Sequence, residues 1–165
     1  MKDTYFKLCI HTILYLNNDE VVITSELKKV LYNKFKSALI DKKCELLAIG
    51  GSDNHIHLLY TQSPFVSVHE TILYLKDNTM NCYKNQDIPA DIPDLAWSDG
   101  YYAYSVSEYM LEKVQKHIEN QEAFHTQMTF EDEMLNLNRL HNVDTSECEY
   151  KEYKENFDVF HWGYT

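Results

Sequence analysis

From Tyr5 to Leu16 almost every position is apolar or aromatic, and Asn17-Asn18-Asp19 follows as turn chemistry. A short apolar run that ends in turn residues reads as a buried strand. Ser25 is placed to cap a helix with Glu26 in its first turn. Leu27, Val30, Leu31, Phe35, Ala38 and Leu39 then recur at helical spacing. Glu45–Gly50 and His55–Thr61 read as two short strands around Gly51-Ser52-Asp53-Asn54, a hairpin by pattern. Ser67-Val68-His69-Glu70 is a capping box and predicts a helix to about Tyr83. Asp87 to Asp99, with Pro89 and Pro93, predicts a loop, and Tyr101 to Val106 an aromatic strand. Ser105-Val106-Ser107-Glu108 is a second capping-box candidate, opening a helix through about Phe124 with Leu111, Val114 and Ile118 on its buried face. Further helical pieces are expected at Phe130–Leu140 and Glu147–Glu155.

The predicted order is β-α-β-β-α-β followed by an extra helix. It implies an α+β fold of the ferredoxin-like kind: one antiparallel sheet with helices on one face. The strand carrying His55 is then central, and its open sheet face is free to meet a ligand. A chain of 165 residues makes one domain with a real core. We divide it into a domain over 1–128 and an acidic, helical C-terminal extension over 129–165, packed on or beside that domain.

Composition narrows the function classes. Hydrophobic residues make up 44% and charged residues 25%, with no apolar run of membrane-span length and no secretory-type leader at the start, so a cytoplasmic protein is expected. The four cysteines form no C-x-x-C pair, which favours reduced structural thiols over disulfides or a zinc knuckle. The net charge of −11 opposes nonspecific binding to nucleic acid. The charge is uneven. Residues 131–158 hold nine acidic and three basic side chains, whereas six of the fifteen basic residues fall between 28 and 43. Lys29, Lys36 and Lys43 recur every seven residues and stay near one face, which makes them candidate nucleic-acid contacts. A solvated lysine face explains the same pattern equally well. Lys76 is a candidate phosphate contact, with a solvated helix lysine as the simpler account. Tyr101, Tyr102 and Tyr104 are candidates for stacking on unpaired bases, though packing of the sheet against a helix accounts for them more simply.

The chemistry begins at His55-Ile56-His57. Residues two apart on a strand point the same way, so both imidazoles face one side, close enough to share a divalent metal. A lone pair of this kind is a weak signal among eight histidines. It strengthens downstream: His117 and Gln121 share a helix face, and His125 follows one turn later. Two imidazoles, the Gln121 carboxamide oxygen and water suit Mg²⁺ or Mn²⁺, and a third histidine would shift preference from Mg²⁺ towards Zn²⁺ or Mn²⁺. The extra C-terminal helix thus carries part of the site.

Gly50-Gly51-(x)3-His55-Ile56-His57-Leu58-Leu59 resembles the metal-binding segment of the single-tyrosine (Y1) HUH transposases, enzymes of insertion sequences that move as single-stranded DNA. Trp97-Ser98-Asp99-Gly100-Tyr101-Tyr102-Ala103-Tyr104-Ser105-Val106-Ser107 is similar to the family's W-x-x-G-Y-x-A-F-S-V-S stretch. The segment from Val114 to His125 is similar to its V-x-x-Y-I-x-N-Q-E-x-H-H helix, and Phe130-Glu131-Asp132-Glu133 to the F-x-x-E that follows. The resemblance implies an RRM-like sheet and a homodimer with shared active sites. It also implies hairpin or single-stranded DNA as partner, and cleavage through a covalent 5′-phosphotyrosine. His55, His57 and Gln121 carry over as metal ligands. The nucleophilic tyrosine does not: its position, four residues before that glutamine, is His117. The family's Asp directly before the first histidine is here Asn54.

The favoured reading is a transposase-like protein that binds single-stranded or hairpin DNA at a divalent-metal HUH site but does not nick by the phosphotyrosine route. A second reading is an active strand-transfer enzyme with a displaced nucleophile, Tyr109 or His117. A third is a protein-interaction module that has lost DNA binding.

Overall fold

The computed structural model describes residues 5–17, 21–84 and 95–143. Its elements are β1 (Cys9–Tyr15), α1 (Ser25–Asp41), β2 (Glu45–Gly51), β3 (His55–Thr61), α2 (Val68–Lys84) and β4 (Tyr102–Val106). After β4 come a 3₁₀ turn at Glu108–Met110, α3 (Leu111–Glu119), α4 (Gln121–Phe124) and α5 (Phe130–Leu140). The sheet order is β2-β3-β1-β4 with every neighbouring pair antiparallel, the α+β architecture that the order of elements implies. The predicted helix over 147–155 and residues 87–94 of the predicted loop lie outside the described residues.

Both faces of the central pair β1 and β3 are covered, which is why these strands read as near-continuous apolar runs rather than alternations. On one face Leu27, Leu31, Phe35, Ile72 and Leu75 from α1 and α2 close over Ile10, Leu14, Ile56, Leu58 and Tyr60. The other face is not open, contrary to the sequence-based expectation. Val114 and Ile118 of α3 pack on Ala48 and Leu59, and Met134 and Leu137 of α5 pack on Ile13 and Tyr104. The apolar stripes of α3 and α5 need a partner, and that sheet face supplies it.

Local signals explain the boundaries. Ser67 forms the capping box: its hydroxyl accepts from the Glu70 N–H at 3.1 Å, and the Glu70 carboxylate accepts from the Ser67 N–H at 2.9 Å. For α1 the cap is Thr24, one residue before the expected Ser25, with its hydroxyl accepting from the Leu27 N–H. Ser105, the capping residue expected of the second box, lies inside β4, and the 3₁₀ turn starts after Ser107, which makes no side-chain cap bond. The helix expected to run to Phe124 is interrupted at Asn120, where ψ turns to 17°, and restarts as α4 at Gln121.

Lys76 is buried rather than solvated. Its ammonium donates to the carbonyls of Ser98 (2.7 Å), Asp99 (3.1 Å) and Gly100 (2.8 Å). The Trp97 indole N–H donates to Thr79 Oγ1 at 2.8 Å, so α2 anchors the Trp97–Gly100 segment at two points. That segment therefore serves the fold: it leads the chain into β4. Cys9 and Cys44 are buried free thiols. Among the described residues no helix is long and apolar enough to cross a membrane.

Candidate metal centre

Antiparallel pairing sets His55 opposite Tyr15 and His57 opposite Ile13, so both rings stand on the sheet face that α3–α5 cover. The hairpin turn leaves Asn54 beside them. Gly50 and Gly51 end β2 under α3. A Cβ on Gly50 would overlap the carbonyl oxygen of Ile118, so the missing side chain is what lets α3 lie that close and brings Gln121 over the histidines.

Glu133 enters from α5 and completes the cluster. Its Oε1 accepts from His117 Nε2 at 2.7 Å and from the Gln121 amide at 2.9 Å. Its Oε2 lies 3.0 Å from His125 Nε2, 3.5 Å from His57 Nε2 and 3.8 Å from His55 Nε2. His55, His57 and Glu133 are fully buried, and one donor atom from each lies within 4.8 Å of the others. The sequence-predicted group His55, His57, Gln121 and His117 is brought together, with His125. Glu133 was read only as part of a motif, and it sits at the centre.

Proton placement tests whether these residues suit a cation. Asn54 Oδ1, 2.7 Å from His55 Nδ1, is an acceptor only, so Nδ1 carries the hydrogen and Nε2 the lone pair. Yet His55 Nε2 faces Gln121 Oε1, another acceptor, at 3.1 Å. His57 Nε2, also buried, has no hydrogen-bond partner and lies 3.5 Å from Glu133 Oε2. His125 Nε2 supplies a donor at 2.9 Å from Gln121 Oε1 and 3.0 Å from Glu133 Oε2, but none lies between the two strand imidazoles and Glu133 Oε2, and that gap is what a divalent ion satisfies. The donor set of two imidazoles, a carboxylate and a carboxamide suits a borderline to hard ion. Asn54 also does through its carboxamide oxygen what a carboxylate would do in orienting the first imidazole.

Electrostatics agree. Burial, then the charge of His57, pushes His55 down to about 3, and burial likewise lowers His57 and His11. The three imidazoles are therefore neutral at neutral pH. For Glu133, burial alone would raise the pKa, but His57, His117 and His125 hold it well below the usual carboxylate range. His125 has acceptors on both sides, Met128 O at 2.8 Å from Nδ1, and Gln121 Oε1 at 2.9 Å and Glu133 Oε2 at 3.0 Å from Nε2, and its pKa is raised because the carboxylate outweighs burial.

A pH dependence follows. The folded pKa of His55 lies below its unfolded value of about 6.5, so the unfolded chain takes up protons first as pH falls. The stability that neutral His55 contributes is whole above that pH and is lost below it, by about 2 kcal/mol at pH 5. Urea unfolding in the presence of chelator is expected to show a clear drop between pH 7 and 5. Equal midpoints would contradict the neutral, buried imidazole.

The other candidates stand apart. Lys29, Lys36 and Lys43 are exposed and belong to the helical layer on the opposite face of the sheet. Lys43 has a left-handed φ of 58° after α1. Tyr109 is 95% exposed on the 3₁₀ turn, whereas the cluster is buried. Tyr104 is buried beneath α5, donates its hydroxyl hydrogen to Asn138 at 2.7 Å and stacks on His141, in keeping with packing rather than base stacking.

The fold recurs in solved structures, among them these two. One is a candidate transposase from Deinococcus radiodurans R1, 21% identical, covering 74% of this chain and 96% of that one at a TM-score of 0.55. The other is a REP-associated tyrosine transposase bound to a REP hairpin, 11% identical, covering 78% of this chain and 74% of that one at a TM-score of 0.58. No curated protein matches the sequence. A profile of the family described as "Transposase IS200 like" matches residues 4–121, a span that takes in His55, His57, His117 and Gln121 and stops short of Glu133. On that match the chain belongs to the IS200-like transposase family.

Proposed function

We propose that this chain binds single-stranded or hairpin DNA, as a homodimer, and holds a divalent ion, Mg²⁺ or Mn²⁺, with His55, His57, Glu133 and Gln121, while not cleaving DNA through a phosphotyrosine. The observation that carries the reading is the convergence of the buried His55 Nε2 and His57 Nε2 on Glu133 Oε2, at 3.8 and 3.5 Å, with His57 Nε2 left without a hydrogen-bond partner. When bound, such an ion polarises a phosphoryl oxygen and stabilises the leaving oxygen. His55 and His57 present neutral nitrogens for it, Asn54 orients His55, and Glu133 balances charge. His117, at the position of the family's tyrosine, offers an imidazole whose Nε2 is engaged by Glu133. A phosphoramidate formed there would be more labile than a phosphotyrosine and poorly suited to later rejoining. The hairpin-bound relative supports a DNA partner in kind. Lys29 and Lys36, exposed on α1, and Lys43, just past its end, are the phosphate contacts of this reading, a local exception to the net charge of −11.

Two measurements on the full chain test this. Hairpin binding should weaken with salt, with a slope of log K against log salt of about −2 to −3 for three phosphate contacts, and Lys36→Glu should reduce it. Absence of binding at low salt would favour the protein-interaction module. Incubation with labelled single-stranded DNA and Mn²⁺ should give no covalent adduct on a denaturing gel. An adduct abolished by Tyr109→Phe, or one abolished only by His117→Ala, would instead identify a displaced nucleophile.

A further inference from the structure

We infer that His11 is a positioning residue that fixes the tautomer of His57 and so keeps the His57 Nε2 lone pair aimed at the metal position. The inference rests on the metal reading above and extends it to a residue outside the donor set.

His11 lies on β1 opposite Leu59, diagonal to His57 on the same sheet face. Its Nε2 is 2.8 Å from His57 Nδ1, both rings are buried, and their centroids are 5.0 Å apart. Two imidazole nitrogens at that distance share one hydrogen. If His11 Nε2 carries it, His57 Nδ1 accepts, and neutral His57 must hold its own hydrogen on Nε2, against the donor set. If His57 Nδ1 carries it, His57 Nε2 is a free lone pair facing Glu133 Oε2 at 3.5 Å. The second arrangement makes His57 a ligand. His11 then keeps its hydrogen on Nδ1, and its ring borders a cavity of about 340 Å³ lined also by Ser105, Ser107 and His141, where solvent or a hydroxyl can accept it.

The need for such a residue is local. His55 stands at the end of the hairpin turn and finds its orienting oxygen in the adjacent Asn54. His57 is in mid-strand, and its neighbours Ile56 and Leu58 point to the opposite face, into the α1/α2 core. Its partner has to come from across the sheet, and His11 is placed to supply it.

The test is a Co²⁺ titration of the full chain, read from the visible absorption of the bound ion, with thermal unfolding in chelator as the check on folding. His11→Leu is expected to weaken Co²⁺ binding about 10–100-fold, whereas His11→Gln, whose amide reaches the place of Nε2, should stay within about threefold of wild type. His11→Asn, whose amide stops at the place of Nδ1, should resemble His11→Leu. If His11→Leu does not fold, the Gln and Asn pair still decides. Unchanged affinity in the Leu variant, or equal loss in Gln and Asn, would overturn the inference while leaving the metal site standing. A wild-type chain that binds no Co²⁺ would overturn both.

Discussion

Glu133→Ala is expected to destabilise the chelator-treated protein by about 3–5 kcal/mol, a large share of a domain's total stability. The carboxylate is fully buried and meets three polar neighbours within 3.0 Å: His117, Gln121 and His125. Its removal leaves His125, the Gln121 amide and His117 without their common acceptor. Stranding buried polar groups in this way costs more than the contacts themselves contributed. Glu133→Gln keeps the volume and one oxygen, so its loss should be smaller, and it should abolish metal affinity more completely than it affects folding. Urea unfolding of the three proteins at pH 7 checks the order. Wild-type stability in Glu133→Ala would mean that the carboxylate is not paired as described.

Gly50→Ala should also have a large effect, from steric clash alone. The new Cβ meets the backbone carbonyl of Ile118 rather than the end of a flexible side chain, so α3 itself must move. Forced overpacking of this kind costs about 1–3 kcal/mol, and more where the obstacle is backbone. Gln121 follows Ile118 by three residues, so the displacement reaches the donor set. The variant should therefore lose thermal stability and metal affinity together. A Gly50→Ala protein with wild-type melting temperature would show that the helix does not cross β2 there.

Much of this was legible in the sequence, and particular residues show why the rest was not. The sheet order follows from β-α-β-β-α-β, and the bounds of α5 match its apolar periodicity from Phe130 to Leu140. His55, His57, His117 and Gln121 met because strand and helix periodicities place them on single faces. Glu133 was hidden in a run rich in acids. Its signal was position: it shares a helical face with Phe130 and Leu137, where solvated acids do not belong. His11 carried the same kind of mark, a polar residue on the face of Ile13 in an apolar strand. The covered sheet face was missed because the short α3–α5 segments were read as additions rather than as a second layer. Lys76 looked like an ordinary helix lysine because its partners are backbone carbonyls, which leave no trace in sequence.

The central claim is that the buried cluster is a divalent-metal site, and the direct measurement is metal stoichiometry. Equilibrium titration of the full chain with Mn²⁺, followed by the loss of its free-ion paramagnetic resonance signal, should show one ion per chain. Replacement of His57 by Gln, or of Glu133 by Gln, should weaken it at least about 100-fold. A wild-type chain that binds no Mn²⁺, or variants that bind it as tightly as wild type, would contradict the account.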